Sequence, residues 1–204
     1  MSKLTLESLQ KQINELQSEV KALKGNVKSR MVPARLKKGD IFEIAGLTWK
    51  ILEITEKGYA CLADKLEERM QFDNSCNNWK PSSLRDYLNT EFYKQLADVV
   101  GQENIIPFER DLLSMDGQTE YGTCEDKVSL LTVDEYRKYR AHIPNTDDYW
   151  WWMITPDSTK CNDDTARVRV VSPSGFINCS FFNVDIGVRP FCIFSSAIFE
   201  SEEE

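Results

Sequence analysis

General acid–base chemistry needs titratable groups whose environments push their pKa values apart. The chain offers two adjacent carboxylate pairs, Asp147 with Asp148 and Asp163 with Asp164. Neighbouring carboxylates in polar stretches are ordinarily solvated or cap turns, and both pairs read that way. A nucleophilic Ser or Cys needs a base beside it. His142 is the single histidine; it precedes IPNTDD in an expected loop, and no GxSxG elbow accompanies it. It reads as a surface or hydrogen-bonded residue, not as a general base. No Walker loop or GxGxxG is present to cradle phosphate. Residues 157–164, DSTKCNDD, are rich in oxygen ligands but lack the central glycine and distant Glu of a calcium loop. A polar turn is expected there, with a structural calcium as the alternative. Six cysteines, Cys61, Cys76, Cys124, Cys161, Cys179 and Cys192, form no CxxC and, with one histidine, outline no zinc site. Most are expected to be reduced. No catalytic residue, metal ligand or cofactor is assigned, so binding or assembly is expected in place of catalysis.

The aromatic residues are more informative. Trp150, Trp151 and Trp152 are consecutive, so in a strand Trp151 points one way and its two neighbours the other. One face is expected in the core; the other is either core as well or exposed for a sugar or a protein, because aromatic anchors dominate many interfaces. Arg189 lies in an otherwise apolar strand and needs a carboxylate or carbonyl partner if buried, with Asp185 the local candidate.

These residues must be positioned by a chain of 204 residues and net charge −8. Its first thirty residues hold six basic and three acidic side chains, which leaves about −11 for the rest. That balance argues against a nucleic-acid surface, and the short apolar runs argue against membrane insertion. The N-terminus lacks the apolar core and cleavage site of an export leader. The expected location is a host cytoplasm during synthesis, with a virion as the later destination.

Leu6, Leu9, Ile13, Leu16, Val20 and Leu23 recur at heptad spacing, which predicts a coiled-coil helix over 1–28. Such a short helix is marginal alone, so its stripe requires a partner. Self-association as a parallel dimer or a trimer is expected; packing back on the chain's own domain is the alternative. A linker follows over 29–38, then a globular domain over 39–199 and an acidic tail over 200–204.

Within the domain, IFEIAG, LTWKILEI and YACLAD read as a meander of strands. In the central one Trp49, Ile51 and Glu53 share one face, and Thr48, Lys50, Leu52 and Ile54 the other. WKPSSLRDYLNTEFYKQL turns helical, with Leu84, Leu88 and Phe92 four residues apart and Pro81, Ser82 and Ser83 near its start. Thr132 and Glu135 form a capping box for a second helix, VDEYRKYR. DYWWMIT, ARVRVVS, GFINCSFF and RPFCIFS complete the strands, with Arg167, Arg169 and Val171 on one face and Ala166, Val168 and Val170 on the other. The class is α+β with antiparallel strands and two short helices.

In order along the chain, WKPSSLRDYLNTEFY, DKVSLLTVDEYRKY, YWWMITP, ARVRVVSPSGFI and IGVRPFCIF resemble the motifs of the DUF6273 family of bacteria and phages, over about 39–195. The resemblance implies a C-type-lectin-like domain, similar to formylglycine-generating enzymes and phage variable receptor-binding proteins. Its WWLRSP-like motif falls on Trp151, Trp152, Met153, Ile154, Thr155 and Pro156, where Ile154 and Thr155 depart from the usual arginine and serine. Its GVRP motif falls on Gly187, Val188, Arg189 and Pro190. With these, Trp79, Leu84, Arg85, Leu88 and Asn89 are expected to be scaffold. The calcium-dependent Glu-Pro-Asn sugar signature is absent, as is a recognisable formylglycine-generating cysteine pair.

The leading expectation is an oligomeric module that displays a surface to a protein or carbohydrate, as in a phage structural or receptor-binding component. The candidate surface runs from 145 to 182, with Tyr149, Trp150, Asp157, Lys160, Asn162, Asp163, Arg167, Arg169, Asn178 and Phe181. The alternatives are a bacterial scaffold or phage assembly protein working through its coiled coil, and a metal- or cysteine-dependent enzyme.

Overall fold

Alternating apolar residues build a hairpin first. Strands β1 (Ile41–Ile44) and β2 (Leu47–Thr55) pair in antiparallel register, Phe42 opposite Trp49. Ala45 and Gly46 join them, both at positive φ, 53° and 75°. That is the geometry that matches the right-handed twist of a two-residue hairpin. The computed structural model describes residues 36–199, of which Lys37–Ile198 form one unit. The heptad residues Leu6 to Leu23 and the acidic tail lie outside the described residues.

β3 (Gly58–Ala63) pairs with β2, and a bulge between Ile51 and Glu53 interrupts that ladder. The bulge corrects the expected alternation: Ile51 and Leu52 are both buried, while Glu53 turns outward to receive Lys138 and Tyr139. The late strand β11 (Phe191–Phe194) returns to lie against β3, Cys192 opposite Cys61. Two short strands, β4 (Ile105–Ile106) and β7 (Val128–Ser129), pair with β11 to complete a six-stranded sheet. β5 (Phe108–Asp111) and β6 (Thr123–Asp126) form a separate hairpin.

The expected first helix is α1 (Ser83–Tyr87), a π-helical turn over Leu88–Phe92, and α2 (Tyr93–Val100). Ser82 caps it by accepting the Arg85 N–H. Leu84, Leu88, Phe92 and Leu96 are all buried. In a pure α-helix each four-residue step drifts by about 40°; the wider π turn offsets that drift and keeps the stripe on one side. Asn89 in this turn donates to Val128 O and accepts from the Lys127 and Val128 amides, which ties the helix to β7. The second helix, α3 (Val133–Tyr139), has the expected capping box. Its Glu135 also receives Arg110 at 2.6 Å, so a buried cation is neutralised at the helix start.

The site rests on a third sheet, β10–β9–β8, made of β8 (Trp151–Pro156), β9 (Arg167–Val171) and β10 (Ile177–Phe181). Trp151 enters a core cluster with Met153, Val171 and Tyr136, its ring 5.6 Å from that of Tyr136. Trp152 packs against Phe72 from another direction and donates its indole N–H to Met70 O. Trp150 lies just before β8 and stays exposed. Val171 is buried, so the face expected to carry Arg167, Arg169 and Val171 is part core and part surface. The whole is α+β with antiparallel sheets and two helical segments. No helix among the described residues is long and apolar enough to cross a membrane.

Candidate functional site

The strand order brings three distant pieces of sequence to one groove. β9 and β10 supply the buried Val170 and the polar Asn178 and Ser180, with Asn178 directly opposite Val170 in the ladder. The segment after β10 folds back beside them. It is held there by a short run of main-chain bonds: Phe72 N to Phe182 O, Met70 N to Ile186 O and Ile186 N to Met70 O. These bonds place Arg69 against Val184, Asp185 and Ile186. Trp150 completes the lining, and the groove encloses about 360 Å³.

Gly187 fixes Trp150. Its amide donates to Trp150 O at 2.9 Å, and its carbonyl accepts the Trp152 N–H at 3.0 Å. A Cβ at Gly187 would stand 2.7 Å from Trp150 O and 3.0 Å from Tyr149 Cδ2, closer than real side chains approach a backbone oxygen. The GVRP motif therefore positions the WW motif. Arg189 extends that support: it stacks 5.3 Å over the Trp151 ring and donates Nε–H to Ala63 O at 3.0 Å. Pro190 O accepts the Ala63 amide, locking the motif to β3. Its nearest carboxylate is Asp64, at 3.7 Å, which corrects the expected pairing with Asp185. Asp185 lies on the groove wall instead. Burial lowers the Arg189 pKa, with Coulombic interaction with Tyr149 and Asp64 opposing.

Several polar groups of the groove are left open. Trp49, Trp79 and Trp152 each donate their indole N–H to an internal acceptor. Trp150, 41% exposed, has no such acceptor among the described residues. Arg69, Asp185 and the Ser180 hydroxyl likewise have no hydrogen-bond or ion-pair partner among the described residues. Asn178 uses Oδ1 to accept the Cys179 amide and leaves its amide nitrogen free.

The other candidate residues are spent differently. Asp157 is paired with Arg169. Asn162 donates to Asp116, which also receives the Ser114 and Ser158 hydroxyls. Those hydrogen bonds, the one from Ser114 foremost, hold the Asp116 pKa down at about 2. Buried Asn77 donates to three carbonyls, of Ser158, Asp164 and Arg167, and accepts from Tyr121. Lys160 and Asp163 occupy the exposed turn so anchored, Asp163 in the left-handed conformation at φ 53°. Tyr149 is half-buried under the Lys65 ammonium, and Arg167 lies over the Phe181 ring. The 157–164 loop is thus a turn held largely from outside, by Asn77, Asp116 and Arg169. Trp150 and Asn178 are the two candidates that share the groove.

Arg69, Ser180, Val184 and Asp185 were not legible as site residues. Arg69 is about eighty positions from Trp150 in the chain and arrives only through the Met70–Ile186 pairing. Val184 and Asp185 follow GFINCSFF after one residue, Asn183, and the polar Asn-Val-Asp break between two apolar strands was the available signal.

Trp79 Nε1 and Arg85 Nε converge on the two oxygens of buried Asp126, at 2.8 and 2.6 Å. All six cysteines are free thiols, and burial raises Cys61 and Cys192 well above the usual range.

The sequence matches no curated protein and no solved structure. The family model for a domain of unknown function, DUF6273, matches residues 54–196, from the second half of β2 to just past β11. That span contains both motifs joined at Gly187 and every residue of the groove, and the chain belongs to the DUF6273 family.

Proposed function

We propose that the protein is a non-catalytic binding module, displayed in several copies, that engages its ligand through the Trp150 groove. The observation that carries this reading is the set of unpartnered groups there: an exposed indole, a guanidinium, a carboxylate, an amide and a hydroxyl around buried apolar side chains. Water meets such exposed groups in the free protein, and a ligand with hydroxyl or amide groups can take its place. Their collection on one groove, backed by a glycine that admits no side chain, supports a surface kept for a partner.

The heptad over 1–28 supplies the multiplicity, as a parallel dimer or a trimer, and repetition makes a weak contact effective. The return of β11 to β3, which brings late and early strands together beside a small separate sheet, supports a C-type-lectin-like fold. A phage structural or receptor-binding component is the role that fits this combination.

Light scattering over a concentration series, on the full chain and on a chain beginning at Met31, tests the reading. It requires a dimer or trimer that becomes monomeric on truncation. A monomeric full-length chain contradicts it. Loss of all partner binding in a truncated but folded chain would instead make the coiled coil the functional part, as in a scaffold.

A further inference from the structure

Resting on that reading of the groove, we infer that its ligand is a neutral saccharide, with a pyranose ring laid against Trp150. Three observations lead there.

The first is the mixture of surfaces. A pyranose has an apolar C–H face and a rim of hydroxyls that both donate and accept. The groove answers both, with the Trp150 ring, Val170 and Val184 on one hand and free donors and acceptors on the other. Trp150 Nε1–H, the Arg69 guanidinium and the Asn178 amide donate; the Asp185 carboxylate and Ser180 hydroxyl accept or serve both ways. Planar side chains such as Arg, Asp and Asn span two neighbouring hydroxyls, a bidentate geometry that a lone ammonium lacks.

The second is charge. The groove holds one cation, Arg69, and one anion, Asp185. Recognition of a phosphate or a polyanion uses clustered basic groups, and a basic segment needs clustered carboxylates. One of each sign suits a neutral ligand rich in hydroxyls.

The third disfavours an added peptide strand. β10 is an edge strand. The flanking bonds, Ser172 N to Phe176 O and Phe182 N to Ala166 O, set the alternation of the ladder. Ile177, Cys179 and Phe181 therefore aim their main-chain groups away from β9. Two of those outward groups are already capped: Asn178 Oδ1 accepts the Cys179 N–H at 2.8 Å, and Val184 N donates to Phe181 O at 3.2 Å. A peptide extending the sheet would have to break both, whereas a ring stacked on Trp150 breaks neither.

Saturation-transfer NMR on the full chain tests the inference, with the methyl pyranosides of glucose, galactose, mannose and N-acetylglucosamine as probes. At least one should receive saturation on its ring C–H protons. Trp150→Ala should weaken that probe about tenfold or more, and Arg69→Ala and Asp185→Asn, both on exposed side chains, should weaken it severalfold. Phe176→Ala, at an exposed aromatic outside the groove, should change nothing. Silence from all four probes, or transfer that survives Trp150→Ala, Arg69→Ala and Asp185→Asn alike, overturns the inference. Panning a displayed peptide library against the same chain separates the two claims. Trp150-dependent peptides with silent pyranosides overturn the saccharide and leave the binding groove standing. No Trp150-dependent ligand of either class overturns both.

Discussion

Replacing Arg85 with Met would test how the buried Asp126 cluster of the scaffold is held. Asp126 is fully buried at its side chain, and Arg85 Nε meets its Oδ1 at 2.6 Å while Trp79 Nε1 meets Oδ2 at 2.8 Å. Arg85→Met removes the only cation paired with that carboxylate among the described residues and leaves a buried charge with two neutral donors, the Trp79 indole and, at 3.9 Å, the weakly donating Cys124 thiol. Removing one partner of a buried pair costs about 3–5 kcal/mol. Arg85 is 25% exposed, so water reaches part of the vacated space and about 2–4 kcal/mol is the better expectation. For a domain this size that lowers Tm by about 4–16 °C. Lys138→Met is the matched control: its pair with Glu53 is equally short at 2.7 Å but has 57% and 33% exposed side chains, so its loss costs about 1 kcal/mol or less. Adding Asp126→Asn to Arg85→Met keeps the acceptor for Trp79 and removes the stranded charge, and should recover part of the loss. Urea unfolding with an unchanged m-value reads all three. Equal costs for Arg85→Met and Lys138→Met, or a double variant less stable than Arg85→Met, would refute the reasoning.

Ala45 sits at φ 53° in the first hairpin, where a Cβ is strained by about 1 kcal/mol, so Ala45→Gly should raise the urea midpoint, and a lower midpoint would count against the turn geometry. Hydrogen bonds from Ser114, Ser158 and Asn162 place the Asp116 pKa at about 2, below its ordinary 3.8. A depressed carboxylate contributes stability above its unfolded pKa and loses it as pH falls through the folded value. The 157–164 turn should therefore keep its anchor at pH 4 and release it near pH 2; a carboxyl NMR titration with a midpoint near 3.8 would contradict this. Thiol labelling should be staged: exposed Cys161 reacts first, while buried Cys61 and Cys192, with raised pKa values, stay protected until the chain unfolds.

The elements that follow local rules were readable in advance. The Thr132–Glu135 capping box and the Leu84, Leu88, Phe92 stripe depend on neighbours a few residues away, so type and spacing identified them. Family motifs marked Trp151, Trp152 and Arg189 as scaffold, and all three are buried. What spacing could not supply was long-range register. The bulge between Ile51 and Glu53 took Glu53 out of the expected alternation, and Arg189 found Ala63 O across 126 positions instead of nearby Asp185. The candidate surface narrowed for the same reason. Asp157 and Asn162 look available in sequence, but Arg169 and Asp116 consume them, and Arg69 joins Trp150 only through the fold.

The central claim is that the Trp150 groove is where the protein binds. Equilibrium binding of one ligand, a pyranoside or a panned peptide, to the wild-type chain and to Trp150→Ala, with both folds checked by circular dichroism, tests it most directly. A loss of about tenfold or more on an unchanged fold is expected. Equal affinity in the two chains would contradict the account and move the binding surface elsewhere.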